Sequence, residues 1–306
     1  IYLVDLFYLI AGLVILVAGA EIVIRGSVSL GKKLNISLFA IGVVIVAGGT
    51  SLPELASSIN AVVTNHADLA LGAVVGSNIA NLILVMAATT IIFPITNINK
   101  NQINQAWINI VLGIFLIFMS YFYFNFIFGI ISIILLALIM YLQISRGSLM
   151  IDEVNKGDYS ALISIILIII GVVFLIYGSE LFVSSAINFA NKFNISEAVI
   201  GLSLIAFGTS LPELVVGIMS AIKRKVDFAL GNILGSNIYN VLGVLGISSF
   251  FNKFTMPNVL VSQDLLFMLF ITFIVLIFMY LFKKLGRTFG ILGLSFYFSY
   301  IYFIFI

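Results

Sequence analysis

The chain has 306 residues, of which 62% are hydrophobic and only 8% charged, with a mean hydropathy of +1.27. Soluble domains carry about a quarter of their residues as charged side chains, so this composition excludes a water-soluble fold and leaves an all-α integral membrane protein with no soluble domain of useful size. The absence of cysteine removes disulfides and thiol chemistry, the single histidine removes an ordinary zinc site, and with a net charge of +2 no nucleic-acid partner is expected.

A membrane-spanning helix needs about 20 mostly apolar residues. With Lys, Arg, Asn, Pro and Gly clusters as loop markers, the sequence predicts ten transmembrane helices, at 3–27, 37–63, 69–93, 103–122, 126–143, 160–186, 196–221, 228–251, 260–282 and 287–305. The first apolar run lacks a basic n-region and shares its pattern with a later segment, so it reads as a span in the lipid bilayer and not as a signal peptide. With the N-terminus outside, twelve of the fourteen Lys and Arg residues fall in cytoplasmic connections, and only Lys192 and Lys253 remain outside. The positive-inside rule therefore predicts a multi-pass cell-membrane protein with both termini extracellular.

Residues 145–159 form the one polar linker, expected on the cytoplasmic side between halves 1–144 and 160–306. The halves resemble one another: Gly19 to Asn81 aligns without gaps to Gly178 to Asn240 at a constant offset of 159, including KxNIS, GTSLPEL and GSNIxN. Five helices per half is an odd number, so the second half enters the membrane from the opposite side. The expectation is two inverted-topology repeats, an architecture whose substrate sites lie near the midplane, often on interrupted helices.

GTSLPEL, at 49–55 and again at 208–214, puts a proline and a glutamate into the middle of an apolar span. Pro53 and Pro212 lack an N–H and crowd the carbonyl four residues back, freeing backbone acceptors around Gly49 and Gly208. Irregular backbone survives at this depth only where it lines a cavity or binds something. Thr50, Ser51 and Glu54, matched by Thr209, Ser210 and Glu213, add hydroxyls and a carboxylate, an all-oxygen set suited to hard cations such as Na⁺ and Ca²⁺. The competing role for the two acids is a structural ion pair, but no Lys or Arg occurs between Lys33 and Lys100 or between Lys192 and Lys223. Intramembrane acids without a basic partner are functional-site candidates.

GSNIAN at 76–81 and GSNIYN at 235–240 follow on the next helix of each half. Gly72 with Gly76, and Gly231 with Gly235, are small-xxx-small pairs that allow close helix approach. Ser77 and Asn81, like Ser236 and Asn240, are spaced i, i+4 and share a helix face. They either bridge helices or join the cation pocket, and repetition alongside Pro-Glu favours the pocket. Asp68 and Asp227 sit at helix starts, where they would cap free N–H groups and meet the favourable dipole end. Glu21 has Arg25 one turn later for local pairing; Glu180 is its counterpart. His66 is expected to be solvated in an outer loop.

Two inverted repeats carrying GTSLPE followed by GSNxxN resemble the alpha-repeats of the cation/calcium exchanger superfamily, and within it the prokaryotic, archaeal type of sodium/calcium exchanger. The resemblance extends over the whole chain. It implies a secondary antiporter, not an enzyme, exchanging Na⁺ for Ca²⁺ without a cofactor, at a site between the second, third, seventh and eighth spans, with the long first and sixth spans moving across that core. Carried onto this sequence, Ca²⁺ would take the Glu54 and Glu213 carboxylates with backbone oxygens of Thr50 and Thr209. Na⁺ would use those acids with Ser51, Ser77, Ser210, Ser236 and carbonyls near Ala47 and Ala206, with Asn81 and Asn240 completing the cluster. Exchangers resembling this one often carry Asp where this chain has Asn240, which leaves two central carboxylates instead of three.

A Ca²⁺/H⁺ or K⁺-dependent exchanger could be built on the same oxygens. A cation channel fits less well, because the acids form a compact two-fold cluster and not a ring around a pore. An intramembrane hydrolase finds neither HExxH nor GxSxG in the sequence.

Overall fold

The computed structural model describes residues 2–147, 158–191 and 206–305. Among these the chain is helical, and its only β pairings are two isolated bridges between loops. The helices are α1 (Tyr2–Leu34), α2 (Leu38–Thr50), α3 (Leu52–Val63), α4 (Ala67–Ile92), α5 (Lys100–Met119), α6 (Phe126–Gly147), α7 (Ala161–Asn191), α8 (Ala206–Thr209), α9 (Leu211–Ile222), α10 (Val226–Ser248), α11 (Asn258–Phe282) and α12 (Arg287–Phe305). Seven of the described helices are each long and apolar enough to cross a membrane, and α2 with α3 makes one further, bent span.

Local sequence sets the helix ends. Ser37 accepts the Ala40 N–H at 3.2 Å at the start of α2, and Asn99 and Gln102 close a reciprocal capping box at the start of α5. The turn after α3 returns the His66 N–H to the Ala61 carbonyl at 2.7 Å, with Asn65 left-handed at φ 62°. The turn after α9 repeats it with Lys225 N–H on Ser220 O at 2.8 Å and Arg224 at φ 56°. Both are six-to-one closures of the Schellman kind, and asparagine enters the left-handed region at lower cost than arginine.

The first helix runs seven residues beyond its expected end at 27. Basic residues mark loops in the sequence reading, yet Arg25, Lys32 and Lys33 are all helical. Arg25 pairs with Glu21 at 2.5 Å, and the two lysines occupy the last turn, where the helix dipole favours cations. The start of the seventh expected span and the second KxNIS copy lie outside the described residues, as does most of the linker.

The long helices α1 and α7 run antiparallel along a seam of small residues. A Cβ on Gly12 would stand 2.7 Å from the Phe182 backbone nitrogen, one on Gly19 2.9 Å from the Gly171 carbonyl, and one on Gly26 2.8 Å from the Ser164 carbonyl. Backbones this close require glycine at each crossing. Their packing extends onto α2 and α9, through buried Ile41, Val46, Leu211 and Val215. The remaining helices pack around α4 and α10, the most enclosed elements of the bundle.

Loop pairings sort the connections onto two faces. On one, Phe124 bridges Phe254 and Asn252 donates to Asn65 at 3.1 Å. On the other, Ile95 bridges Leu285 and the Arg224 guanidinium lies 5.6 Å over the Phe93 ring.

Candidate functional site

The α2–α3 span breaks at a single residue, Ser51, with φ −84° and ψ 6°, and the two arms bend by 42°. The α8–α9 break at Ser210 has nearly the same backbone, φ −87° and ψ 3°. In each case a proline follows two residues later and cannot donate to the glycine carbonyl four positions before it. The Gly208 carbonyl so released accepts from the Ser179 hydroxyl of α7 at 2.7 Å. The position 159 residues earlier is Ala20, which has no donor to offer.

Helix α10 packs against α2 through glycine. A Cβ on Gly231 would lie 2.2 Å from the Phe39 carbonyl, and one on Gly235 2.8 Å from the Ala47 side chain. The partners that the duplication assigns to Gly72 and Gly76 fall mainly outside the described residues. Past the GSNIxN motifs both helices widen into a π turn, at Asn81–Val85 in α4 and Tyr239–Val244 in α10. Such turns recur at functional sites because they re-aim side chains.

This framework brings the sequence-predicted residues together in reciprocal pairs. Thr50 Oγ1 lies 3.3 Å from Ser236 Oγ, and Thr209 Oγ1 lies 3.5 Å from Ser77 Oγ. Ser236 Oγ also donates to Glu213 Oε1 at 3.4 Å. Thr50, Ser51, Glu54, Ser77, Asn81, Ser210, Glu213, Ser236 and Asn240 are all buried. The Ala47 carbonyl accepts from the Ser51 N–H at 3.1 Å and lies 3.4 Å from the Thr50 hydroxyl. Ala206 opens α8 three residues ahead of Thr209.

Seven buried oxygens in this set have no hydrogen-bond partner: Ser51 Oγ, both carboxylate oxygens of Glu54, Asn81 Oδ1, Ser210 Oγ, Glu213 Oε2 and Asn240 Oδ1. Neither glutamate forms an ion pair with a described residue; the described ion pairs are those of Glu21 with Arg25 and Lys223. Buried polar groups are nearly always paired, and buried charges are paired or hold metals. Oxygens converging from two broken helices and two neighbours can therefore do one thing well, which is to coordinate a hard cation. Among the described residues no group of three or more His, Cys, Asp or Glu forms a conventional metal centre, and the charged groups in this set are the two carboxylates of Glu54 and Glu213.

Several expectations change in the structure. Asp68 and Asp227 stand in the first turn of their helices, but the cap positions are His66 and Lys225, and Asp227 instead accepts from Gln102 Nε2 at 2.8 Å. Glu21 binds Lys223 at 2.8 Å as well as Arg25, whereas Glu180 is exposed. His66 is exposed, as expected.

Four polar residues of the site escaped the sequence reading. Asn78 and Asn237 lie inside the GSNIxN motifs, one residue off the Ser–Asn face, and exchange bonds across the two halves. Asn232 accepts from Thr50 Oγ1 at 3.3 Å. Ser58, fully buried with an unpartnered hydroxyl, lies one turn beyond Glu54 on the buried face of α3. One further turn along, Val62 lines a cavity of about 340 Å³ with Asn65, Asp68 and Asn252. The signal for Asn78 and Asn237 was their repetition at the same offset of 159 as the residues that were chosen.

Comparison with known proteins adds the following. The profile of the family described as "Sodium/calcium exchanger protein" matches residues 4–145 and 163–306. An uncharacterised membrane protein of Methanocaldococcus jannaschii is 35% identical over 295 residues, covering 95% of this chain and 94% of the relative. A sodium/calcium exchanger of Methanosarcina acetivorans is 29% identical, with 97% of each chain covered. A solved structure of the sodium-calcium exchanger NCX_Mj, soaked with zero Na⁺ and Ca²⁺, superposes with a TM-score of 0.87 at 32% identity, covering 99% of this chain and all of the other.

Proposed function

The chain belongs to the sodium/calcium exchanger protein family and is a membrane antiporter of Na⁺ and Ca²⁺; we propose that it exchanges them by alternating access at the oxygen cluster between α2–α4 and α8–α10. The observation that carries this reading is the set of seven buried, unpartnered oxygens that includes both glutamates. Ca²⁺ takes six to eight oxygens and needs charge compensation, which Glu54 and Glu213 supply; Na⁺ needs oxygens more than charge, and the hydroxyls and amides supply those.

In this reading the chain is ten spans in two inverted five-helix repeats, 1–144 and 160–306, joined by a cytoplasmic linker at 145–159, with both termini extracellular. The matching breaks at Ser51 and Ser210 and the matching turns at 61–66 and 220–225 support the repeat. The two-faced sorting of loops supports the alternation of sides. Because the chain has no cysteine, single cysteines report sidedness directly. His66→Cys should react with an impermeant maleimide in intact cells and Lys284→Cys only after permeabilisation; the opposite pattern would invert the topology.

The function is tested by ⁴⁵Ca²⁺ uptake into proteoliposomes. An outward Na⁺ gradient is expected to drive accumulation, and equal K⁺ or H⁺ gradients are not. Uptake driven by H⁺ or K⁺ alone would replace Na⁺ as the coupling ion, and ion-gradient-independent conductance would make the protein a channel.

A further inference from the structure

The two amides expected at the cation cluster, Asn81 and Asn240, are held in one particular orientation. Asn81 Nδ2 donates to Asn237 Oδ1 at 3.0 Å, and Asn240 Nδ2 donates to Asn78 Oδ1 at 3.1 Å. In both, the amide oxygen is buried and without a partner. The acceptors are themselves tied together: Asn78 Nδ2 donates to the Asn237 carbonyl and Asn237 Nδ2 to the Asn78 carbonyl, each at 3.4 Å. Every bond in this quartet joins α4 to α10, and every residue has its counterpart 159 positions away.

We propose that Asn78 and Asn237 are positioning residues for ion binding: each fixes the nitrogen end of the asparagine opposite, so that the Oδ1 atoms of Asn81 and Asn240 are presented to the cation. This rests on the ion-site reading above and extends it to two residues outside the expected ligand set. An amide has a donor end and an acceptor end about 120° apart, so holding the nitrogen determines where the oxygen faces. A quartet that served only to pack α4 against α10 would satisfy its oxygens within itself. Here it leaves two oxygens over, one on each side, alongside the unpartnered oxygens of Ser51, Glu54, Ser210 and Glu213.

The arrangement also accounts for the residue at 240. Asn78 Oδ1 requires a donor, and an amide nitrogen provides one. An ionised aspartate, the residue that the family resemblance leads one to expect, would set a carboxylate oxygen against a carbonyl oxygen, and only its protonated form could donate there as the amide does. Turning Asn78 over to relieve that would break its bond to the Asn237 carbonyl. Asn78 and Asn240 are therefore a matched pair, and the amide at 240 belongs to the design of this chain.

Na⁺, with half the charge of Ca²⁺, depends more on the number of well-aimed neutral oxygens, so losing the orientation of one amide should weaken Na⁺ more than Ca²⁺. The test measures cation-induced thermal stabilisation of the purified full-length protein alongside Na⁺/Ca²⁺ exchange in proteoliposomes. Asn78→Ala and Asn237→Ala are each expected to raise the half-saturating Na⁺ concentration about tenfold, the effect of one lost hydrogen bond, and the Ca²⁺ value by less than about threefold. Asn78→Leu, which keeps volume but makes no hydrogen bond, should behave alike and stands in if the alanine variant does not fold. In an Asn240→Ala background, Asn78→Ala should add little, because the group it positions is gone. If neither Na⁺ nor Ca²⁺ stabilises the parent, the ion-site reading fails and the positioning role with it. If the parent responds but the variants shift both ions equally, or their effects add in full to that of Asn240→Ala, the quartet is packing alone and the proposal is overturned.

Discussion

Glu54→Gln and Glu213→Gln are each expected to cut Na⁺-driven Ca²⁺ uptake by about 150- to 5,000-fold while the protein stays folded. Breaking a buried charge pairing typically costs 3–5 kcal/mol, which corresponds to that range in affinity. The pairing at stake is between the bound divalent ion and two carboxylates that have no basic partner among the described residues. Glutamine keeps the size and one oxygen but removes the charge. Without the ion, each carboxylate is a desolvated acid with at least one unpartnered oxygen, so its neutral replacement should leave the unfolding temperature of the ion-free protein unchanged or raised. Uptake at the parental rate by either variant would remove that acid from the site.

The second large effect is expected at Gly231. One added methyl group, Gly231→Ala, would place a carbon 2.2 Å from the Phe39 carbonyl oxygen, and the obstacle is helical backbone, which cannot rotate aside. Relief requires α10 to move away from α2, at a cost at or above the roughly 3 kcal/mol upper end of ordinary overpacking. For a chain of this size that is roughly a 5–10 °C fall in unfolding temperature. The same movement separates Thr50 from Ser236 and from Asn232, so exchange should fall with stability. Gly243→Ala on the same helix is the control, since its added carbon would make ordinary contacts, with Leu136 Cδ2 at 3.4 Å and Tyr239 Cδ1 at 3.5 Å. Equal stability of the two variants, measured by thermal unfolding in detergent, would show that the α2–α10 approach is not tight.

Much of this architecture was legible before any coordinates. Apolar runs of spanning length are strongly periodic signals, and a duplication at constant offset places each motif twice, so the broken helices and most of the oxygen cluster could be read from GTSLPE and GSNIxN. Helix ends were less legible, because a basic residue marks either a loop or the last turn of a helix; Lys32 and Lys33 turned out to be the latter. Asn78 and Asn237 were missed for a physical reason. Their role depends on a hydrogen bond to the other half of the chain, and face periodicity within one helix cannot report a partner 156 or 162 residues away. Ser179 is a similar case, since the carbonyl it satisfies is released by a proline in a different helix. The glycines at 12, 19 and 26, spaced by seven and facing 178 and 171, were a readable sign of a close helix pair that composition alone did not single out.

The amide at 240 also bears on how the transporter responds to voltage. With Asn240 neutral, the site proposed above contains two carboxylates, and one bound Ca²⁺ would bring its net charge to zero. A membrane potential acts on a moving charge with about 2.3 kcal/mol per elementary charge per 100 mV and does no work on a neutral complex. The Ca²⁺-loaded form of that proposed site is therefore expected to pass between its two orientations without sensing the field. Any dependence of the cycle on membrane potential then resides in the Na⁺-carrying half, where each sodium beyond the second moves as uncompensated charge.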